Sequence, residues 1–223
     1  TYHERYPDIF ATLPEGMEQP NPVPDRVKLC VANPKVAQLA LAEWREAGQP
    51  DVWPIGPNDG QGYCVCKNCR ALDVPNTLGA DPLDIYWNRS VVSLTGRYLD
   101  LWRRLLGVMR VENPEVMLTT LAYANYRAAT PDLGPLGHRD ALTISWVPDD
   151  WSDAERQSFL AWRDVVGAKV LLRPNWWHVG HAAPYLPLQG AASFFQFAQR
   201  EGLVGFSFDS LLGYWGVQGP NYY

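Results

Sequence analysis

Four cysteines have the types and spacing most suggestive of chemistry. Cys64-x-Cys66-x-x-Cys69 brings three thiols into one short segment, and Cys30 stands just ahead of a helix that opens at Asn33-Pro34. Four thiolates match a closed tetrahedral zinc site, which leaves no open position for water and is therefore structural. Such a site would tie the cysteine-bearing loop to the start of the helix. Two disulfides are the alternative for the same residues, although one of their pairings needs a tight ring inside the cluster. A redox dithiol lacks a thioredoxin-like context here.

Carboxyl groups come next. Asp59 and Asp209 each follow a short apolar run that reads as a buried strand, and Glu4 is a third candidate if a strand precedes it. A pair of this kind could cleave a glycosidic bond, one group protonating the leaving oxygen and the other acting as base or nucleophile. Asn58-Asp59-Gly60 is equally a plain turn sequence, and an Asp at a strand end commonly caps the next helix. Asn58, Tyr123, Tyr126, Asn175, Trp176, His178, Tyr214 and Trp215 lie at or beyond other strand ends. They can bond sugar hydroxyls or stack on a pyranose; each alone reads more readily as a loop-packing residue, and collectively some should line the groove. His178 and His181 have no cysteine or carboxylate in register, so hydrogen bonding suits them better than metal binding. Asp149 and Asp150 read as helpers at the start of a helix capped by Ser152.

Five strands are expected to position these groups, at about 51 to 56, 116 to 122, 141 to 147, 168 to 172 and 203 to 208. Helices alternate with them. One runs from Asn33-Pro34 to Gly48, and the longest from about 84 to 111 on the spacing of Val91, Leu94, Tyr98, Leu101, Leu105 and Val108. A third runs from Ser152 to about Gly167, and a fourth passes through Phe194, Phe195 and Ala198 to Gly202. The first thirty residues, rich in Pro, read as a long loop. Short apolar strands alternating with helices predict a parallel α/β sheet. No Gly-x-Gly-x-x-Gly follows any strand, so a dinucleotide fold and an organic cofactor lose support. Polar strand ends favour a (β/α)8 TIM-type barrel, of which this chain would supply about strands 4 to 8. Thr1 to Glu4 would then be the tail of an earlier strand.

The 223 residues suffice for a single domain with a real core, 1–223, the cysteine-rich loop lying within 30–73. Apolar residues make up 47% and charged residues 19%, and the net charge of −5 with scattered basic residues argues against nucleic acid. No stretch is long and apolar enough to span a bilayer. Ten Trp and eleven Tyr are many for this length. Core packing must account for most of them, and a sugar-lined groove is the further use. The opening Thr1-Tyr2-His3-Glu4, with no signal-peptide pattern, is expected of a mature product or of one piece of a larger parent chain with further domains.

Leu29-Cys30-Val-Ala-Asn-Pro-Lys-Val36, Pro57-Asn-Asp-Gly60, the cysteine cluster continuing to Asp73, and Leu121-Ala-Tyr123 together resemble a bacterial family known as domain of unknown function 4838. The resemblance extends to about Asp209, and His3 to Phe10 resembles the family's segment after its third strand. The family is glycoside-hydrolase-like, with a barrel similar to those of alpha-glucuronidases and hexosaminidases. The resemblance therefore implies a carbohydrate substrate, Asp59 as acid after a fourth strand, and export to the periplasm or outside the cell. A non-catalytic sugar-binding barrel with a zinc-held loop, and a metal-stabilised protein-interaction module, are the competing expectations.

Overall fold

The structure is a computed structural model and describes residues 2–18, 27–58, 62–75, 77–78, 92–174 and 188–207. Five strands form one sheet: β1 (Val52–Pro54), β4 (Met117–Ala122), β5 (Leu142–Trp146), β6 (Lys169–Leu172) and β7 (Gly205–Phe206). Each neighbouring pair is parallel, and the strands stand side by side in chain order. Between β1 and β4 a small antiparallel pair, β2 (Val74–Pro75) and β3 (Val92–Ser93), stands apart from the sheet. All five expected strands are present, and the sheet is open among the described residues.

The two faces of the sheet differ. Trp53, Leu118 and Leu142 lie in one cross-strand row, Thr120, Ile144 and Val170 in the next, and Ala122, Trp146 and Leu172 in a third. Most of these side chains are buried. Helices α2 (Pro34–Glu46), α4 (Thr95–Glu112), α5 (Asp153–Leu160) and α6 (Leu188–Arg200) share one apolar core with them. The opposite face carries Pro54, Thr119, Thr143 and Lys169 in one row and Leu121, Ser145, Leu171 and Gly205 in another. Those residues are only half-buried or exposed.

Aromatic side chains fill the helix-covered side. Trp44, Trp102, Trp146 and Trp162 are fully buried. Trp146 stacks on Phe194 and meets Phe159 edge-on, both at 5.6 Å. Each such ring contributes roughly 2–3 kcal/mol through burial. Core packing thus takes up these four of the ten tryptophans.

Several boundaries depart from expectation. Asn33 caps α2 as expected, its side chain accepting the Lys35 N–H at 3.0 Å. The long helix begins only at Thr95, because Val92–Ser93 pair as a strand with Val74–Pro75. Ser93 Oγ and Thr95 Oγ1 both bond the Ala128 carbonyl, which holds this turn away from helical geometry. Residues 84–91 lie outside the described residues. α5 passes into a π-helical turn, Ala161–Val166, and Gly167 ends it with φ 79°, the left-handed conformation that suits glycine. At the other end of the chain Tyr2–Arg5 make a helical turn, α1, where a strand tail was expected. Pro7 then starts a 3-10 turn, its ring fixing φ and removing the donor that strand pairing needs.

Candidate metal centre and strand-end face

Three chain segments converge on the cysteines. Phe10 and Leu29 form an antiparallel bridge, and the Cys30 N–H donates to the Ile9 carbonyl at 2.7 Å. Val65 N–H donates to the Thr12 carbonyl at 2.8 Å, laying the loop alongside the same segment. Cys66 caps the short helix α3 (Lys67–Arg70), so Cys69 follows one turn later. All four sulfurs lie within 4.8 Å of one another. Cys30 Sγ is 3.7 Å from both Cys66 Sγ and Cys69 Sγ, and all four are free thiols. A tetrahedron with metal–sulfur bonds of about 2.3 Å has edges of about 3.8 Å. The thiol spacing therefore fits a metal, and it is far from the S–S bond length of about 2.0 Å.

Electrostatics point the same way. The Cys69 thiol, hydrogen-bonded to Cys64, holds the Cys64 thiol far below its ordinary range, to about 4, with the Cys66 and Thr12 N–H groups adding to the effect. Burial, and then Cys64 itself, push Cys30 up to about 12. The hydrogen bond to Cys64, and then burial, drive Cys69 upward too. One charged sulfur thus opposes ionisation of its neighbours, a conflict that a divalent cation removes. Backbone N–H groups already point at sulfur, from Thr12 to Cys64 at 3.3 Å and from Cys69 to Cys66 at 3.4 Å. Beside them Arg97 donates to the Cys64 carbonyl while its guanidinium is paired with Asp73, and both side chains are buried. Burial opposes the Arg97 charge, but the Asp73 carboxylate outweighs it and raises the pKa.

The carboxyl end of β1 is wired to this centre. The Asn58 side chain donates to the Val27 carbonyl at 3.0 Å. Lys28, only 3% exposed, donates to the Asn58 carbonyl and sets its ammonium 4.5 Å from the Tyr63 ring. Lys28 stands two residues before Cys30, and Tyr63 directly before Cys64. A cation on an aromatic face in a buried setting is a favourable contact. Sequence reasoning missed Lys28 and Arg97, since neither sits in a motif and a buried lysine looks like any other lysine.

Tyr123 is half-buried at the end of β4, whereas Tyr126 is 3% exposed and packs on Tyr98 at 5.0 Å. Glu4 is exposed on α1 and follows no strand among the described residues. Asp59, Asn175, Trp176, His178, Asp209, Tyr214 and Trp215 lie outside the described residues. Asp150 behaves as expected, accepting the Ser152 N–H at 2.8 Å. Asp149 instead pairs with buried Arg127, which also lies 3.3 Å from Glu155. Glu155 accepts the Asp149 N–H at 3.0 Å, and burial, partly offset by Arg127, pushes its carboxyl up to about 7. This triad ties the loop after β4 to the loop after β5.

Fold and site together define a parallel α/β domain with a four-cysteine centre beside the carboxyl end of its first sheet strand. A family model for a domain of unknown function (DUF4838) matches residues 1–135, and the chain belongs to that family. The match takes in all four cysteines and ends before β5. No curated protein and no solved structure matches the chain.

Proposed function

We propose that this chain is part of a carbohydrate-active domain of the (β/α)8 type, acting on a poly- or oligosaccharide by carboxylate acid/base catalysis. The observation that carries the proposal is the sheet. Its five parallel strands stand in chain order, with no reversal to create a switch-point crevice, and their helices share one core with a single face. Strands of a barrel follow one another in this way, with helices outside and a second face turned inward. The polar row of Thr119, Thr143 and Lys169, the threonines half-buried and the lysine exposed, is consistent with such an inner face. Substrate would meet the carboxyl ends, where Asn58 and Tyr123 stand. Export and further domains of a larger parent are parts of the same proposal.

The four cysteines would hold a structural zinc. The donors are all sulfur, two of their separations match tetrahedron edges and all lie within 4.8 Å, and no fifth ligand is needed. Asp59 is the proposed acid. Asp59→Asn in the full-length parent, assayed on a glycan panel, is expected to abolish hydrolysis and leave the melting temperature nearly unchanged. Full activity in that variant removes Asp59 from the mechanism. Glycan binding with no cleavage by the unmodified protein would favour the non-catalytic barrel instead.

A further inference from the structure

We propose that the four-thiol centre has a second, oxidised state in which Cys30 and Cys66 form a disulfide and the metal is released. The inference rests on the zinc reading above. Access selects the pair. Cys64 and Cys69 are 3% and 0% exposed, whereas Cys30 and Cys66 are half-buried, so an oxidant of peroxide type reaches the latter two first. Proximity then closes the bond. The Cys30 and Cys66 sulfurs are 3.7 Å apart, and side-chain rotation has to bring them to about 2.0 Å. Cys69 is equally near to Cys30 but is fully covered by the core.

The chemistry balances. One thiolate attacks a peroxide oxygen, breaking the O–O bond to give a sulfenic acid and one hydroxide. The second thiolate attacks that sulfenic sulfur, forms the S–S bond and expels the second hydroxide. Two electrons leave the two sulfurs and reduce the peroxide. With two of four ligands lost, zinc leaves to water, and the Cys64 and Cys69 thiolates remain as a buried pair that takes up protons from water in place of the metal.

This pairing has a structural consequence that a bond among the loop's own three cysteines lacks. Cys30 and Cys66 are 36 residues apart and belong to the two segments the metal would join. A Cys30–Cys66 bond keeps the loop fastened to the start of α2 after the metal has gone. A bond between Cys66 and Cys69, or between Cys64 and Cys66, would leave the Cys30 segment untied.

Zinc-loaded protein titrated with hydrogen peroxide, with zinc followed by a chromogenic chelator and disulfides by peptide mass spectrometry, tests the proposal. The expected result is one zinc released per disulfide, with the peptides carrying Cys30 and Cys66 joined. A thiol reductant with added zinc is expected to restore the starting state. Zinc retained under oxidation, a bridge confined to Cys64, Cys66 and Cys69, or release with sulfinic acid and no disulfide would each overturn the proposal alone. Failure of the reduced protein to take up zinc or cobalt would overturn the metal reading, and this proposal with it.

Discussion

Glu155 shows how a single buried group sets a pH dependence. Its carboxyl is 2% exposed, accepts one backbone N–H, and lies beside Arg127 without an aligned hydrogen bond to it; Oε2 has no hydrogen-bond partner among the described residues. Burial dominates, so the folded-state pKa of about 7 lies above the ordinary 4.5. The folded state therefore holds this proton more tightly than the unfolded state does. Its contribution to stability is fully present below about pH 4.5 and is lost as pH rises to about 7. Glu155→Gln keeps an acceptor for the Asp149 N–H and leaves Arg127 paired with Asp149. Urea unfolding at pH 5 and pH 8 is expected to show a shallower pH slope for the variant, with a gain of roughly 1–3 kcal/mol at pH 8. A variant less stable than the parent at pH 8 would show that the Arg127 charge outweighs burial.

Among the elements, the start of α4 is the most tightly constrained. Gly96 lies where a Cβ would come within 2.1 Å of the Leu72 carbonyl oxygen, a backbone atom that cannot swing aside. Only glycine lets α4 approach the loop that carries Asp73, and Arg97 then pairs with Asp73 in the next position. Gly96→Ala is expected to cost at least about 1–3 kcal/mol by forcing these backbones apart, even though alanine is the better helix former. Thermal or urea unfolding checks this; a neutral outcome would mean that the loop yields freely. The strands of the sheet were legible in the sequence because Leu118, Leu142, Ile144 and Val170 fall in short apolar runs closed by turn residues. The β2–β3 pair was not. Two residues on each side give no periodicity, and the leucines and valines of α4 extend the helical spacing across the boundary. The cysteine centre was legible in its ligands but not in its supports. Lys28 and Asp73 are near neighbours of the cysteines in sequence, but only the folded chain sets Lys28 on the Tyr63 ring and brings Arg97 from a distant position to Asp73 and the Cys64 carbonyl.

At the scale of the whole molecule, the fold divides into a helix-covered sheet and a lobe held at its first strand by the cysteine centre. Trp102, Trp146, Trp162 and Phe194 fill the sheet's part of the core, and Ile9, Val31, Tyr63, Cys64 and Cys69 continue the same cluster into the lobe. The lobe is different. Residues 9–12, 28–31 and 63–70 bury only Ile9, Val31, Tyr63 and two cysteines besides Lys28, and are otherwise joined by a few backbone hydrogen bonds, the cation–ring contact of Lys28 and the four sulfurs. Local opening follows where buried apolar contacts are few, so the two parts should differ in their dependence on metal. Removing metal with a chelator under reducing conditions is expected to leave the sheet folded and loosen the lobe. In hydrogen exchange, amides at 9–12, 28–31 and 63–70 should exchange at least about tenfold faster, equivalent to roughly 1.4 kcal/mol of local stability, while those at 118–122 and 142–146 keep their protection. Cys69→Ser, which removes one sulfur from the buried side, should reproduce the pattern in the presence of zinc. Equal loss of protection across the sheet would mean that lobe and sheet unfold as one unit. No change at 28–31 would mean that hydrogen bonds, the Lys28–Tyr63 contact and apolar packing hold the lobe, and that the four sulfurs stabilise nothing at the carboxyl end of β1.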